Sequence, residues 1–477
     1  MNDNKYLPTI GLEIHAELKT GSKMFCACKN DPDEEKENTN ICPICLGHPG
    51  TLPVLNMDAI KKVIQVGLGV GGTVADFTEW DRKNYFYPDI PKGYQISQYR
   101  YPLIKGGMLA GVEIERIHLE EDTAKSTHDT HEMSLVNFDR SGVPLMELVT
   151  KPVIHDAATA VRFAKELQLL LRYLGAGFAN MEKGEMRVEA NISVSSSSIL
   201  GTKTEVKNLN SFRTVEKAIT YEIERQTSLL ENGEQVKQET RGWDETKQET
   251  YSQRSKESSH DYRYFPDPDI PKLKISEMKE LDKDVLVKEL PELPWQKRER
   301  FMTSYGMTEK EVAIFVETTS IADYFDTIVR SFVSDTKKIR LATNYLLSDY
   351  LGVLKTKKLE FVTEHAIEPK IFAEMINMIS EGLLSSRGAK DLILLLIDAP
   401  SSNPQELAEK NGLIQKSDLS LLMPAIEKVI ADNKKVVDEY RGGKLTSLQF
   451  LIGQAMKATK GSGNPEIVKK LLLEKLS

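Results

Sequence analysis

The clearest pattern in the chain is a strict alternation of apolar and polar residues over residues 8–19, PTIGLEIHAELK. The apolar side carries Ile10, Leu12, Ile14, Ala16 and Leu18. The polar side carries Gly11, Glu13, His15 and Glu17. A period of two predicts a half-buried β-strand. Because carboxylates and imidazole are ligands for a cation, this face favours an active site on a sheet; an ordinary solvent-exposed strand face is the alternative.

Two further predicted strands carry isolated ligand-type side chains. Arg116, His118 and Glu120 alternate with apolar residues, and Glu147 is a single carboxylate within the apolar segment 143–149. A buried carboxylate is costly unless it is paired or bound to a metal. Glu120 and Glu147 are therefore candidate site residues, and a structural salt bridge is the alternative for Glu147.

The segment that begins at Glu185 shows the most regular alternation, with charged residues on one side. Its predicted neighbour alternates Lys203, Glu205 and Lys207, which fall opposite charged residues such as Arg187. We name Arg187, Lys203, Glu205 and Lys207 as candidate nucleotide contacts. Plain cross-strand ion pairing explains the same residues and stays open as the alternative.

Two aromatic segments, 81–92 and 261–272, share the sequence Pro-Asp-Ile-Pro-Lys. Basic residues among rings suit phosphate binding combined with base stacking, so Arg82 and Lys83 are further candidate nucleotide contacts. A loop packed under a sheet would use the same rings. The shared prolines favour two stiff walls of one cleft. The chain has no Walker-type loop, and we interpret the glycines of residues 67–72 as the stop of a helix.

All four cysteines lie within residues 26–45. They form two close pairs, Cys26 with Cys28 and Cys42 with Cys45. Two thiol pairs separated by a loop suit tetrahedral zinc, whereas free or redox thiols are the alternative. The intervening sequence is too polar to fold by burial, so the predicted zinc is structural.

Long helices and two proline-rich breaks organise the rest of the chain. One predicted helix runs from Asp156 to Gly175, and others between the strands give an α+β class. Prolines near residues 289–295 and 398–404 mark linkers. The predicted domains are a mainly antiparallel-sheet domain with a zinc-binding insertion, an all-α helical domain and a small helical tail domain. They span residues 1–292, 293–404 and 405–477.

Composition sets the remaining limits. The chain has 477 residues with a net charge of −8, which argues against a generally adhesive nucleic-acid binder. Residues 441–477 are nevertheless locally +5. Lys457, Lys460, Lys469 and Lys470 are candidate RNA contacts there, and a solvated helical face is the alternative. Without a membrane-length apolar run or a signal peptide, we expect a cytoplasmic protein.

Taken together, the motifs resemble the B-subunit family of aspartyl/glutamyl-tRNA amidotransferases over essentially the whole chain. The motifs are GLEIHAELKT (11–20), the cysteine pairs, DRKNYFYPD (81–89), HLEEDTAKSTH (118–128), VPLMELV (143–149), KNLNSFR (207–213), DYRYFPDPD (261–269) and FLIGQAMKATKG (450–461). The resemblance implies a cradle domain with an ATP-dependent kinase site. A helical domain and a flexible tail that contacts tRNA would follow it.

The resemblance also implies an activity and partners. Such a subunit phosphorylates the side-chain carboxylate of Asp or Glu misattached to tRNA(Asn) or tRNA(Gln). Ammonia from a glutamine-hydrolysing A subunit then displaces the phosphate, and a small C subunit completes a heterotrimer. The implied ligands of Mg²⁺, or of Mn²⁺ in its place, are His15, Glu120 and Glu147, with Glu13 nearby. The alternatives are a non-catalytic zinc-containing tRNA-binding module and an ATP-dependent ligase of small molecules.

Overall fold

The computed structural model describes residues 5–128, 133–255, 261–332, 335–415, 419–459 and 465–476. The chain divides into two compact units, residues 1–294 and 295–477. The first unit is rich in strands and the second is helical, which confirms the predicted α+β class. The finer division into three domains stays a prediction.

A large twisted sheet forms the centre of the first unit. The strands are β1 (Leu7–Glu17), β2 (Thr73–Val74), β3 (Phe77–Thr78), β4 (Asp81–Asn84), β5 (Tyr94–Ser97), β6 (Ile104–Lys105), β7 (Met108–Leu109), β8 (Val112–Glu121), β9 (Lys125–His128), β10 (Ser134–Asn137), β11 (Pro144–Thr150), β12 (Met186–Ser195), β13 (Thr204–Leu209), β14 (Glu239–Asp244), β15 (Glu249–Ser255), β16 (Phe265–Pro266) and β17 (Leu273–Lys274). The sheet order is β15-β14-β13-β12-β1-β11-β8-β6-β2, and β7 also pairs with β8. All neighbours in it are antiparallel except β13 and β14.

Two long helices cover the apolar face of this sheet. The helices of the first unit are α1 (Met57–Gly69), α2 (Ala157–Tyr173), α3 (Phe212–Glu231) and α4 (Lys283–Glu289). Asp156 caps α2 by accepting a hydrogen bond from the backbone N–H of Thr159. The α2 and α3 helices contact each other as well as β1 and β12. The predicted helix from Asp156 is therefore confirmed, and the other sheet face stays open for chemistry.

The alternation predicted for β1 is confirmed. Ile10, Leu12, Ile14 and Ala16 are at most 1% exposed, whereas Glu13 and His15 are half-buried on the other side. Each fully buried aliphatic side chain contributes about 1.5–3 kcal/mol, so a slip of the strand by one residue is strongly disfavoured. The hydrophobic pattern thereby fixes which residues face the open side.

The glycine string after α1 ends the helix, as predicted. Asn56 caps the start of α1, and Gly71 follows its end with φ +70. A Cβ on Gly67 would come within 2.4 Å of the Ile104 side chain. The glycines therefore allow a turn and close packing against β6, and they do not open a nucleotide-binding helix.

The second unit is built from short helices. They are α5 (Pro294–Tyr305), α6 (Glu309–Glu317), α7 (Thr319–Arg330), α8 (Thr336–Asn344), a π-helical segment (Tyr345–Tyr350), α9 (Leu351–Thr356), α10 (Pro369–Ser380), α11 (Ser386–Asp398), α12 (Pro404–Lys410), α13 (Leu419–Asp432), α14 (Lys434–Arg441), α15 (Thr446–Ala458) and α16 (Pro465–Leu476). Residues 422–476 share their own core around Ile426, Leu451 and Leu472. Among the described helices, none is long and apolar enough to cross a membrane.

Helix α12 packs with the helices before it. It contacts α10 and α11, and Ala408 is fully buried. Residue Ile414 forms a β-bridge with Leu384, and the N–H of Gln415 donates to the carbonyl of Leu383. The residues that form the hydrophobic core of residues 422–476 all follow this segment.

Candidate active site and cysteine cluster

Three neighbouring strands bring the predicted ligands onto one face. His15 of β1 lies opposite Glu147 of β11, which in turn lies opposite His118 of β8. Residues directly opposite each other in antiparallel strands point to the same side. Glu120 is two residues beyond His118 and shares its side of β8. The open sheet face therefore gathers carboxylates and imidazoles from strands far apart in sequence.

Distances within this group are short. The Nε2 atom of His15 lies 3.3 Å from Oε2 of Glu147, 3.6 Å from Oε1 of Glu120 and 4.0 Å from Oε1 of Glu13. The Nε2 atom of His118 is also 3.3 Å from Oε2 of Glu147. The four predicted residues are thus in one cluster, together with His118.

The pKa values of the residues in this cluster depend on one another. Burial lowers the pKa of His15, but hydrogen bonding to Glu147 and the neighbouring carboxylates outweigh it and raise this pKa to about 9. Burial opposes ionisation of Glu147, yet His118 and His15 hold its pKa well below the usual range. Burial, with the charges of Glu147 and Glu189, raises the pKa of Glu13 to about 7. Positive charge is needed to keep these acids ionised together.

A divalent cation fits this arrangement. One ligand atom each from Glu13, His15 and Glu147 lies within 4.8 Å of the others, and the same holds for His118, Glu120 and Glu147. The Oε2 atom of Glu120 is buried without a hydrogen-bond partner among the described residues. Each of these two groups offers two carboxylates and one imidazole, and oxygen ligands favour Mg²⁺ or Mn²⁺. The donor set therefore suits a hard metal ion.

The charged residues on β12 and β13 continue the same face and are paired. Arg187 contacts Asp122 at 2.8 Å, and Lys207 contacts Glu189 at 2.7 Å. Glu205 accepts a 2.8 Å hydrogen bond from Thr240, while Lys203 is exposed just before β13. These contacts match the ion-pairing alternative. A role for the four predicted residues in nucleotide binding stays a prediction.

The two aromatic loops meet, as predicted. Strand β16 pairs with β4, and the rings of Tyr85 and Tyr262 meet edge to face with centroids 5.8 Å apart. Arg82 uses its guanidinium within this contact, bonding to Asp267 at 2.7 Å and Asp269 at 3.0 Å. Its side chain therefore ties the two loops together.

Lys83 lies beside Arg82 but faces the ligand cluster. Burial opposes its charge, yet Glu120, Tyr264 and other acidic groups raise the pKa of Lys83 well above its usual value. Its Nζ atom is 5.0 Å from the ring centroid of Tyr262. The side chain of Gln95 donates to the carbonyl of Glu121 and fixes this loop layer on β8. Lys83 therefore adds a stable positive charge opposite the carboxylates.

The four cysteines converge as a separate cluster. Their sulfurs lie within 4.8 Å of one another, and Cys42 and Cys45 are 3.9 Å apart. Zinc–sulfur bonds in a tetrahedron imply sulfur separations of about 3.8 Å. Hydrogen bonding with Cys26, with the nearby charge of Lys23, lowers the pKa of Cys45 to about 5, whereas hydrogen bonding to Cys45 and burial raise the pKa of Cys26. The sulfur separations therefore suit a metal ion held by the four cysteines.

Polar contacts dock the cysteine loop onto the sheet. Asp139 is fully buried and accepts hydrogen bonds from the N–H groups of Asn38 at 2.6 Å and Asn40 at 2.7 Å. Lys23, also fully buried, donates to the carbonyl of Phe138 at 3.1 Å. The turn that precedes β11 is thus attached to the loop that the cysteines organise.

Sequence reasoning noticed the face of β8 but did not assign His118 to the site. The signal was the alternation that places His118 with Glu120. What the sequence lacked was the register that sets His118 opposite Glu147. Strand pairing over long sequence distances, and not local pattern, decides this contact.

Three of the four predicted tail lysines are described. Lys457 lies near the end of α15, and Lys469 and Lys470 lie on α16; all three are exposed. Lys460 lies outside the described residues. Their exposure fits either phosphate contact or a solvated face, so tRNA binding stays a prediction.

Comparison with known proteins gives the class first. Residues 8–280 match the family described as the GatB/GatE catalytic domain, and residues 323–476 match the GatB domain. The chain is therefore a protein with a GatB/GatE catalytic domain followed by a GatB domain.

Full-length relatives then give the particular family. The chain is 42% identical to the B subunit of the aspartyl/glutamyl-tRNA(Asn/Gln) amidotransferase of Thermodesulfovibrio yellowstonii, covering 98% of this chain and 99% of that protein. It is 41% identical to the B subunit of the same enzyme from Caldicellulosiruptor saccharolyticus, with 99% of each covered. The protein belongs to the family of aspartyl/glutamyl-tRNA(Asn/Gln) amidotransferase B subunits, and the resemblance seen in its motifs is confirmed.

Proposed function

We propose that this chain activates the side-chain carboxylate of Asp or Glu misattached to tRNA(Asn) or tRNA(Gln), using ATP. It acts as the B subunit of a glutamine-hydrolysing carbon–nitrogen ligase. The observation that carries the proposal is the convergence of His15, Glu120 and Glu147 on the open sheet face, with Lys83 opposite. Family membership supplies the substrate class.

The chemistry consists of two balanced displacements. A side-chain carboxylate oxygen attacks the γ-phosphorus of ATP, the bond to the β-phosphate oxygen breaks, and ADP leaves. Ammonia then attacks the carbonyl carbon of the acyl phosphate. The carbon–oxygen bond breaks, phosphate leaves with the electron pair, and the nitrogen loses a proton to give the amide. The first step brings two anions together, so it requires positive charge.

Several residues supply that charge or position it. His15, Glu120 and Glu147, with Glu13, would hold Mg²⁺, which neutralises phosphate charge during phosphoryl transfer. His118 and His15 hold the pKa of Glu147 well below its usual range, and bound Mg²⁺ would likewise favour its ionised form. Lys83 keeps its proton and offers charge from the opposite wall. The rings of Tyr262 and Tyr264 suit stacking on a base.

The remaining features have supporting roles. Zinc held by the four cysteines would be structural, because four thiolates would leave no coordination position for a substrate. The exposed lysines of α15 and α16 contact the tRNA phosphate backbone. An amidase-like A subunit supplies ammonia, and a small C subunit completes the heterotrimer. The protein works in the cytoplasm.

The experiment measures ADP formation by the assembled complex. Asp-tRNA(Asn) and Glu-tRNA(Gln) are compared with uncharged tRNA, free Asp and free Glu. Stimulation by misacylated tRNA alone supports the proposal. Stimulation by a free amino acid would instead indicate a small-molecule ligase, and tRNA binding without any ADP would indicate a non-catalytic module.

A further inference from the structure

Arg116 lies on the active face directly beside a β-bulge. Val149 pairs with Arg116, whereas the next residue of β11, Thr150, pairs with Ile114. Glu115 is therefore an extra residue in β8. Ile114 stays buried with the core, and the side chain of Arg116 joins the side of His118 and Glu120. Bulges of this kind occur often beside active sites, where they redirect a side chain.

Among the described residues, the guanidinium of Arg116 has one close acidic neighbour, Glu147. Its Nη2 atom lies 3.6 Å from Oε1 of Glu147, and its side chain is 35% exposed. A charge-assisted hydrogen bond is shorter, at about 2.7–2.9 Å. Among neighbouring cations, Arg187 and Lys207 are engaged at 2.8 Å and 2.7 Å, and Lys92 bonds directly to Glu121. Arg116 therefore differs from these in its loose contact.

We propose that Arg116 is a catalytic residue that binds a phosphoryl oxyanion at the edge of the carboxylate–imidazole cluster. The inference rests on the proposed function and deepens it by naming a residue that binds the phosphoryl group. A guanidinium presents five donors in a planar fork that matches phosphate oxygens. Glu147 lies 3.6 Å from one side of this fork, and the exposed third of the side chain leaves room for an anion.

The phosphoryl group has two possible sources with the same chemistry. It belongs either to the triphosphate of ATP or to the backbone phosphates at the acceptor end of the tRNA. Both are anions that a cation beside Glu147 attracts. The test contains one arm for each source.

The variants are Arg116→Gln, which removes the charge, and Arg116→Lys, which keeps it but removes the fork. Lys151→Gln is the matched control. Lys151 forms an exposed 2.6 Å ion pair with Glu113, next to the same two strands but away from the cluster. All variants are assembled with the partner subunits. Equal melting temperatures for Arg116→Gln and Lys151→Gln establish intact folding.

The first arm measures the Kd of a non-hydrolysable ATP analogue, AMP-PNP, by calorimetry, and kcat for ADP formation. For the triphosphate source, Arg116→Gln weakens AMP-PNP binding about 10- to 100-fold or lowers kcat about 100-fold. Arg116→Lys gives an intermediate Kd or kcat.

The second arm measures the KM for misacylated tRNA and its salt dependence. If the phosphate belongs to tRNA, Arg116→Gln raises the KM for misacylated tRNA. The slope of its salt dependence then falls by about one unit, because one phosphate contact is lost.

The affinity for Mn²⁺ separates this role from a merely structural one. If Arg116 binds an anion, its removal leaves Mn²⁺ affinity unchanged or higher, because a repelling cation is lost. If it only positions Glu147, Mn²⁺ affinity falls together with activity, and the inference is overturned. The inference is also overturned if Arg116→Gln leaves the Kd, the kcat, the KM for tRNA and its salt dependence unchanged. A wild-type complex that forms no ADP with misacylated tRNA would instead refute the proposed function.

Discussion

At Glu147 a single carboxylate meets two imidazoles and a guanidinium. Oxygen Oε2 is 3.3 Å from both His15 and His118, and Oε1 is 3.6 Å from Arg116. Only 6% of the residue is exposed. Such a buried acid is stable only while its partners stay charged or a metal replaces their protons. The individual residue is therefore specialised as a ligand.

Substitution of Glu147 or His15 should abolish phosphoryl transfer. We expect Glu147→Gln and His15→Ala each to lower kcat for ADP formation by about 10²–10³-fold, because metal-based charge stabilisation is lost. The affinity for tRNA, measured by filter binding, should be nearly unchanged. Glu113→Gln, an exposed change on the same strand β8, should keep wild-type rates. Wild-type turnover in Glu147→Gln would refute the metal assignment.

His118 should increase the affinity of the site for its metal ion. We expect His118→Ala to weaken Mn²⁺ binding about 10- to 100-fold, since groups that hold metal ligands have effects of this size. Higher metal concentration should restore much of the rate. His155→Ala is the control, because His155 bonds to the carbonyl of Pro8 and lies away from the cluster. Equal Mn²⁺ affinity in both variants would exclude His118 from the site.

At the scale of elements, the two faces of β1 could be predicted from the sequence, whereas for β8 the faces could be predicted but the strand pairing could not. The alternation in β1 continues through the strand, so the core face and the open face follow from sequence. In β8 the alternation places Arg116, His118 and Glu120 on one side, but only the strand register sets Arg116 opposite Val149 and His118 opposite Glu147. Local pattern does not report which distant strand pairs with β8. This is why the roles of Arg116 and His118 needed the structure.

The cysteine loop should be stabilised by its metal. We expect replacement of Cys42 and Cys45 by Ser to release zinc and to speed hydrogen exchange over residues 26–45. Activity should survive in part, because the predicted catalytic ligands lie on the sheet. Exchange in β1 should stay slow and serves as the internal control. A wild-type preparation without zinc but with the same exchange rates would contradict a structural role.

At the scale of the whole molecule, composition and pattern predicted the α+β class, whereas long-range contacts had to be observed. Arg82 illustrates the difference. The sequence places a basic residue among rings, and only the structure shows that Asp267 and Asp269 bind its guanidinium; its role in nucleotide binding stays a prediction. Local sequence reports which groups are present and does not report which distant partner occupies them.

The tail should contribute tRNA affinity and not chemistry. Because α12 packs with α10 and α11, the suitable deletion begins at residue 419 and not at 405. We expect removal of residues 419–477 to raise the KM for tRNA and to flatten its salt dependence. Saturating tRNA should recover much of kcat. An unchanged KM and salt slope would support a solvated face for Lys457, Lys469 and Lys470.

The central claim is that the open sheet face phosphorylates the side-chain carboxylate of a misacylated tRNA. The most direct measurement uses Asp or Glu labelled with ¹⁸O in that carboxylate and attached to tRNA. After amidation by the assembled complex, mass spectrometry of the released phosphate should find one ¹⁸O atom per product formed. Phosphate without ¹⁸O, produced together with amidated tRNA, would contradict the account.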